Sequence, residues 1–295
     1  MLEELSAGIT PLTRLVEVPG RGITRIWECA GPRGAGTLML IHGVGCTAEL
    51  NWRRVLVPLS RHFHVIAADL RGHGDGIRAN SRFRLEDCAD DVAALAGTLG
   101  LDRFIAVGYS MGGMVAQLLY QRHASLLSGL VLCATADSVV GSPAERLAAL
   151  AVWAAAAAIP WNPLLQPLSA EILSLSLLGP IHDRETASWA CAQLRQTRLA
   201  TTLSAIQAVC EFTSRDWISQ VDVPTAVIVP AQDRIVSASR QLKLARAIPG
   251  ASIHMVSADH GVCVNAPSKL ARALIDACTL VERRAPCDRD LASSA

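Results

Sequence analysis

A chain of 295 residues that is 51% apolar has enough greasy side chains to fill a large core, and only 18% of its residues are charged, below the usual quarter. With a formal net charge of +1 and basic residues scattered along the chain, nothing favours electrostatic capture of nucleic acid or of an anionic membrane. A small neutral substrate fits this balance better, and a surface so sparsely charged is expected to carry an apolar patch, with which a homodimer is compatible.

Short runs rich in Val, Ile and Leu alternate with longer helical stretches, the pattern of a mostly parallel sheet covered on both faces. Thr13 to Val18 and Gly22 to Cys29 read as two leading antiparallel strands joined at Pro19-Gly20, and Thr37 to Ile41 as the first buried strand. Asn51 to His62 is expected to be a helix and Phe63 to Ala68 the next strand. Leu85 to Leu99 has apolar residues at helical spacing and the acids Glu86, Asp87, Asp90 and Asp91 on the other face, so a surface helix is expected. The strand Phe104 to Gly108, the helix Met111 to His123 and the strand Gly129 to Ala134 follow. After Asp137 the alternation stops for about eighty residues of helical periodicity. It resumes with the strand Thr225 to Val229, the helix Ser237 to Ala247, the strand Ser252 to Val256 and a last helix from Pro267 to Arg283.

The interruption contains the longest apolar run, Leu147 to Ile159, which Pro160 closes. It is shorter than the roughly 18 residues a membrane span needs, so a buried or lid helix is expected and no transmembrane segment. The nine cysteines are an odd number without a CxxC pair or a Cys/His metal spacing, which reads as buried free thiols. Met1-Leu2-Glu3-Glu4 does not begin as a secretory signal does. Together these readings point to a reducing cytoplasm.

Chemistry is concentrated at Gly108-Tyr109-Ser110-Met111-Gly112-Gly113, a G-x-S-x-G motif that leaves an apolar strand and enters a helix. Those letters also occur by chance in glycine-rich loops, but a strand before and a helix after set this instance apart. A serine at such a sharp turn sits in strained backbone, and Gly108 and Gly112 leave room for the chain to bend. Its hydroxyl needs a base, and the base an orienting acid, which follow such an elbow in the order Ser, acid, His. Asp233 lies just past the strand Thr225 to Val229, and His260 just past Ser252 to Val256. Both therefore stand at the sheet edge that carries Ser110, where open α/β sheets bind ligands. Asp137, past the strand Gly129 to Ala134, is the competing acid. Oxyanion donors are expected from the backbone amides of Met111 and of Val44, with Gly45 in reserve, the latter two in the loop His42-Gly43-Val44-Gly45. His42 is expected to shape that loop. Neither a dinucleotide fingerprint nor a metal-ligand cluster appears, so no cofactor or metal is expected.

Taken with Asp69-Leu70-Arg71-Gly72-His73-Gly74, these motifs stand in an order that resembles the α/β-hydrolase fold family from about residue 12 to 284. The resemblance implies a core of residues 1–137 and 221–284 and a helical cap of residues 138–220, and the polar tail of residues 285–295 is expected to be disordered. It also implies a supporting rather than catalytic role for Asp69, Arg71 and His73. Two departures mark the chain: Asp259 stands where the family usually has glycine before the histidine, and Pro230-Ala231-Gln232-Asp233 replaces the frequent Gly-x-x-Asp. A serine elbow is similar to those of esterases, lipases, lactonases, carbon-carbon bond hydrolases and cofactor-free haloperoxidases, whereas dehalogenases and epoxide hydrolases of this fold use aspartate. The expected reaction is cleavage of a carboxylic ester through an acyl-enzyme. Enol-lactone or carbon-carbon bond hydrolysis, or acyl transfer by the same triad, is the alternative. Trp153, Trp161, Trp189, Trp217 and the run Leu164 to Leu178 in the interruption favour a small, largely apolar ester or lactone substrate, although at least half of such residues serve to pack the cap.

Overall fold

Alternation within each buried strand decides the layering. In β3 (Thr37–Ile41), Met39 and Ile41 point to one face of the sheet while Leu38 and Leu40 point to the other, and all four are buried. β5 (Phe104–Tyr109) divides in the same way, with Phe104 and Ala106 on the first face and Ile105 and Val107 on the second. A strand buried on both sides needs helices on both sides, and the computed structural model, which describes residues 10–78, 82–141 and 169–285, shows them.

Among the described residues the sheet has eight strands in the order β1-β2-β4-β3-β5-β6-β7-β8. The remaining strands are β1 (Leu12–Val18), β2 (Gly22–Cys29), β4 (His64–Ala68), β6 (Leu127–Cys133), β7 (Thr225–Pro230) and β8 (Ser252–Val256). The leading hairpin is antiparallel and β2 joins β4 antiparallel, while every pairing from β4 to β8 is parallel. Parallel strands share one carboxyl edge, so residues that follow β3, β5, β7 and β8 gather along one rim. That is how the sequence brings Val44, Ser110, Asp233 and His260 into one neighbourhood.

Helices α1 (Ala48–Ser60) and α9 (Pro267–Arg284) cover one face, setting Trp52, Val55, Leu274 and Val281 against it. Helices α2 (Leu85–Thr98), α3 (Met111–His123) and α7 (Ala238–Ala247) cover the other with Val92, Leu95, Val115, Leu119 and Leu244. Between β6 and β7 stand α4 (Ser169–Leu178), α5 (Arg184–Leu194) and α6 (Leu199–Glu211), and α8 (Val262–Asn265) is a single turn before α9. The run Leu147 to Ile159, Trp153, Trp161 and the tail after Ala285 lie outside the described residues.

Two expectations need correction. Helix α1 begins at Ala48, three residues before Asn51, because the Thr47 side chain accepts from the Leu50 amide at 3.1 Å and caps an earlier turn. Asp91 does not face solvent: it is buried, bound by Arg71 at 2.7 and 2.8 Å and by Arg21 at 2.8 Å, which ties α2 to the loop after β4. The eight described cysteines are free thiols, six of them buried, and no described helix is long and apolar enough to cross a membrane.

Candidate active site

Ser110 adopts φ 54° and ψ −118°, a left-handed conformation costly for a residue with a Cβ. The surroundings enforce it. Its amide donates to the Cys133 carbonyl of β6 at 2.8 Å, its carbonyl accepts from Gly113 at 2.9 Å, and α3 starts at the next residue. A methyl on Gly108 would run into the Gly112 carbonyl, one on Gly112 into the Ile41 carbonyl, and one on Gly113 into Thr135. Glycine at these positions lets strand and helix approach closely enough to hold the serine at the rim.

The imidazole of His260 stands between the two expected partners. Nε2 lies 3.1 Å from Ser110 Oγ, and Nδ1 lies 2.7 Å from Asp233 Oδ2. A carboxylate oxygen only accepts, so Nδ1 carries the proton and Nε2 is left to accept from the hydroxyl. All three side chains are buried. Asp233 Oδ1 accepts from the amides of Ile235 and Val236 at 2.8 and 2.9 Å, and Oδ2 also accepts from Gln241 Nε2 at 3.0 Å. The loops that carry Asp233 and His260 are stitched together, Ala231 N to Val256 O at 2.8 Å and Gln232 N to Ala258 O at 2.9 Å.

Asp137 has other company. Its carboxylate lies 3.5 Å from Arg215 Nε and 3.8 Å from Lys243 Nζ, and its carbonyl accepts from Ser214. Asp259 turns away from the adjacent imidazole, accepting the Gly261 amide at 3.0 Å and approaching Asn265 Nδ2 at 3.5 Å. The glycine usually found at that position is thus replaced by a residue that closes a local turn.

Beyond β3, the loop with Val44 passes against the serine: a methyl on Gly43 would lie 3.4 Å from Ser110 Cβ. Gly45 turns the loop at φ 70°. Asn51 Oδ1 holds the Gly43 amide at 2.7 Å, and Asn51 Nδ2 donates to Cys263 Sγ at 3.3 Å. Met111 is the first residue of α3, where helix geometry leaves amides without an intrahelical carbonyl. His42 does shape the loop. It accepts the Leu70 amide at Nε2 (2.9 Å), so its Nδ1 donates to the Gly43 carbonyl at 2.8 Å. Burial, and secondarily the nearby His73, push His42 down to about 3. Asp69 accepts the Ala48 and Asp75 amides at 2.8 and 3.0 Å, and burial pushes its carboxyl up to about 6.

The segment between β6 and β7 reaches this rim. Asn265 Nδ2 donates to the Leu178 carbonyl at 2.6 Å, Thr47 Oγ1 to Gln193 Oε1 at 2.7 Å, and Gly45 comes within reach of Thr202. A cavity of about 610 Å³ adjoins His260, with Leu175, Leu177, Pro180, Ile235 and Ala258 among its lining.

Three residues at the site escaped the sequence reading: Asn51, Gln241 and Tyr109, whose hydroxyl donates to the His260 backbone carbonyl. The signal is present for the first two, since each is a polar residue on the buried stripe of an amphipathic helix, Asn51 one turn before Val55 and Gln241 one turn before Leu244. Such a residue has to be hydrogen-bonded inside the protein.

The family model of the alpha/beta hydrolase fold matches residues 36–267. The chain belongs to that family. It is 26% identical over 281 residues to the pimeloyl-[acyl-carrier protein] methyl ester esterase of Sodalis glossinidius, covering 86% of this chain and 97% of that one. An uncharacterized protein of Mycobacterium tuberculosis is 31% identical over 147 residues, which is 50% of this chain and 42% of that protein, so the chain spans less than half of that relative's length. Among solved structures, the enol-lactonase from Burkholderia xenovorans LB400 superposes with a TM-score of 0.77 at 24% identity, over 90% of this chain and 100% of that one. The esterase from Exiguobacterium antarcticum does so at 0.76 and 16% identity, over 90% and 98%. At such identities the likeness of the structures concerns the fold.

Proposed function

We propose that this alpha/beta hydrolase fold protein is a serine hydrolase that cleaves a carboxylic ester of a small, largely apolar substrate through an acyl-enzyme. The observation that carries the reading is the single imidazole of His260, in contact with the hydroxyl of Ser110 at one nitrogen and the carboxylate of Asp233 at the other. Ser110 attacks the ester carbonyl while His260 Nε2 takes its proton, and Asp233 stabilises the imidazolium through Nδ1. The proton then passes to the departing alcohol, and water, deprotonated in the same way, releases the acid and restores Ser110. The amides of Val44 and Met111 receive the charge that develops on the carbonyl oxygen.

Residues 138–220 serve in this reading as a cap, supported by the bonds that fasten α4 and α5 to the rim. The lining beside His260 mixes the aliphatic Leu175, Leu177, Ile235 and Ala258 with the polar Gln232, Arg234 and Asn265, and its aliphatic part supports a largely apolar substrate. The name of the Sodalis glossinidius relative describes cleavage of a methyl ester, which is the bond type proposed here.

A serine-directed fluorophosphonate should label the wild type and leave Ser110→Ala unlabelled, and the wild type should hydrolyse a short or medium-chain p-nitrophenyl ester. Equal labelling of both proteins contradicts the assignment. Rapid turnover of lactones with every simple ester inert replaces ester cleavage by the lactonase alternative and keeps the same three residues.

A further inference from the structure

We infer that Gln241 is a positioning residue for this reaction, acting through Asp233, an inference that rests on the serine-hydrolase reading above. Gln241 lies on α7 and is fully buried. Its Nε2 donates to Asp233 Oδ2 at 3.0 Å and to the Val236 carbonyl at 2.7 Å. Oδ2 is the oxygen that receives the proton-bearing nitrogen of His260 at 2.7 Å.

The turn after Asp233 fixes the other oxygen, because the amides of Ile235 and Val236 both donate to Oδ1. Bonds to one oxygen leave a carboxylate able to swing its second oxygen out of the imidazole plane. Gln241 removes that freedom from outside the turn. It approaches from a helix packed on the sheet, so Oδ2 is referenced to the core as well as to its own loop.

The sense of the amide follows from its neighbours. Asp233 Oδ2 and the Val236 carbonyl are both acceptors, and a flipped side chain would set Oε1 against both of them. With the amide so placed, Oε1 is buried and has no hydrogen-bond partner among the described residues. A methionine or leucine would fill the same space without a polar group to satisfy inside the core. The polar side chain therefore fits a site where the donor matters more than packing.

The test uses Gln241→Met, which keeps length and volume and removes the donor, together with Asp233→Asn and the double variant, on the ester that the wild type turns over. Expected is a fall in kcat of about 10-fold to 100-fold, the scale of a small misplacement of a catalytic group, with KM and melting temperature close to wild type. Labelling of Ser110 by the fluorophosphonate should slow by a similar factor. In the Asp233→Asn background, Gln241→Met should cost little further, because one lost bond goes to Oδ2 itself and the other, to the Val236 carbonyl, steadies the turn that holds Oδ1. Unchanged kcat in the single variant, or a full additional loss in the double variant, overturns the inference. Should Gln241→Met fail to fold, Gln241→Leu carries the same test, since it too removes the donor to Oδ2, and wild-type kcat in that variant would equally overturn the inference. If Ser110→Ala and Asp233→Asn are themselves as active as wild type, the serine-hydrolase reading has failed, an outcome distinct from a silent Gln241.

Discussion

Asn51 faces two ways, holding the Gly43 amide with its oxygen and Cys263 with its nitrogen. Gly43 precedes Val44, so this bond steadies the strip of backbone proposed to meet the oxyanion. Asn51→Ala should lower kcat on the ester substrate by about 100-fold, the scale of losing one such donor, with KM little changed. A variant that alters KM alone would show that the bond serves substrate binding. In the same assay Asp233→Asn should cost about 10⁴-fold in kcat, because Nδ1 would face an amide able to donate as well as accept, and the wrong tautomer becomes available. That Ser110, His260 and Asp233 meet could be read from sequence, because each lies just past a recognisable strand and parallel strands share one rim. Gln241 and Asn51 could not, since a helix pattern shows that a polar residue is buried without showing which group it will meet.

At the scale of elements, most of the sheet could be read from hydrophobic runs: β2, β3, α3 and β8 have the bounds their patterns predict. Departures come where a side chain outside the run intervenes. Thr47 is polar, and Ala48 and Glu49 favour a helix without adding to the run of large apolar residues, so periodicity alone starts α1 a turn late. Its hydroxyl also donates to Gln193 on α5, so one residue both caps α1 and fastens the segment between β6 and β7. Thr47→Ala should lower stability by about 2 kcal/mol, one part for the cap and one for the buried Gln193 oxygen left unpaired. Thermal unfolding should register this as a fall of a few degrees, and an unchanged melting temperature would contradict it. Asp91 was misread for a related reason. It borders the apolar stripe of α2, one turn from Cys88 and from Leu95, and Arg21 and Arg71 arrive from distant parts of the chain to cover it.

For the molecule as a whole, the buried histidines set the response to acid. Burial pushes His42 down to about 3 and His73 down to about 4, both below the 6.5 of an unfolded histidine. The unfolded chain thus takes up protons between pH 6.5 and 4 that the folded chain refuses. Their contribution to stability is complete above pH 6.5 and shrinks as the pH falls, by about 3 kcal/mol for each histidine at pH 4. Asp69 works the other way. With its carboxyl pushed up to about 6, the folded form takes up a proton first and recovers some stability over the same range. Two groups against one give a net loss, so the melting temperature should fall from pH 6.5 to 4, and His73→Leu should flatten that slope. A melting temperature that rises on acidification would contradict this balance.

Tyr109 sits one residue before Ser110, and its hydroxyl donates to the backbone carbonyl of His260. Hydroxyl and imidazole are thereby moored to the same central strand, and separating them means breaking that strand's surroundings. Loss of turnover on gradual addition of urea should then coincide with loss of the far-ultraviolet dichroism, leaving no range of denaturant in which the chain is folded but inert.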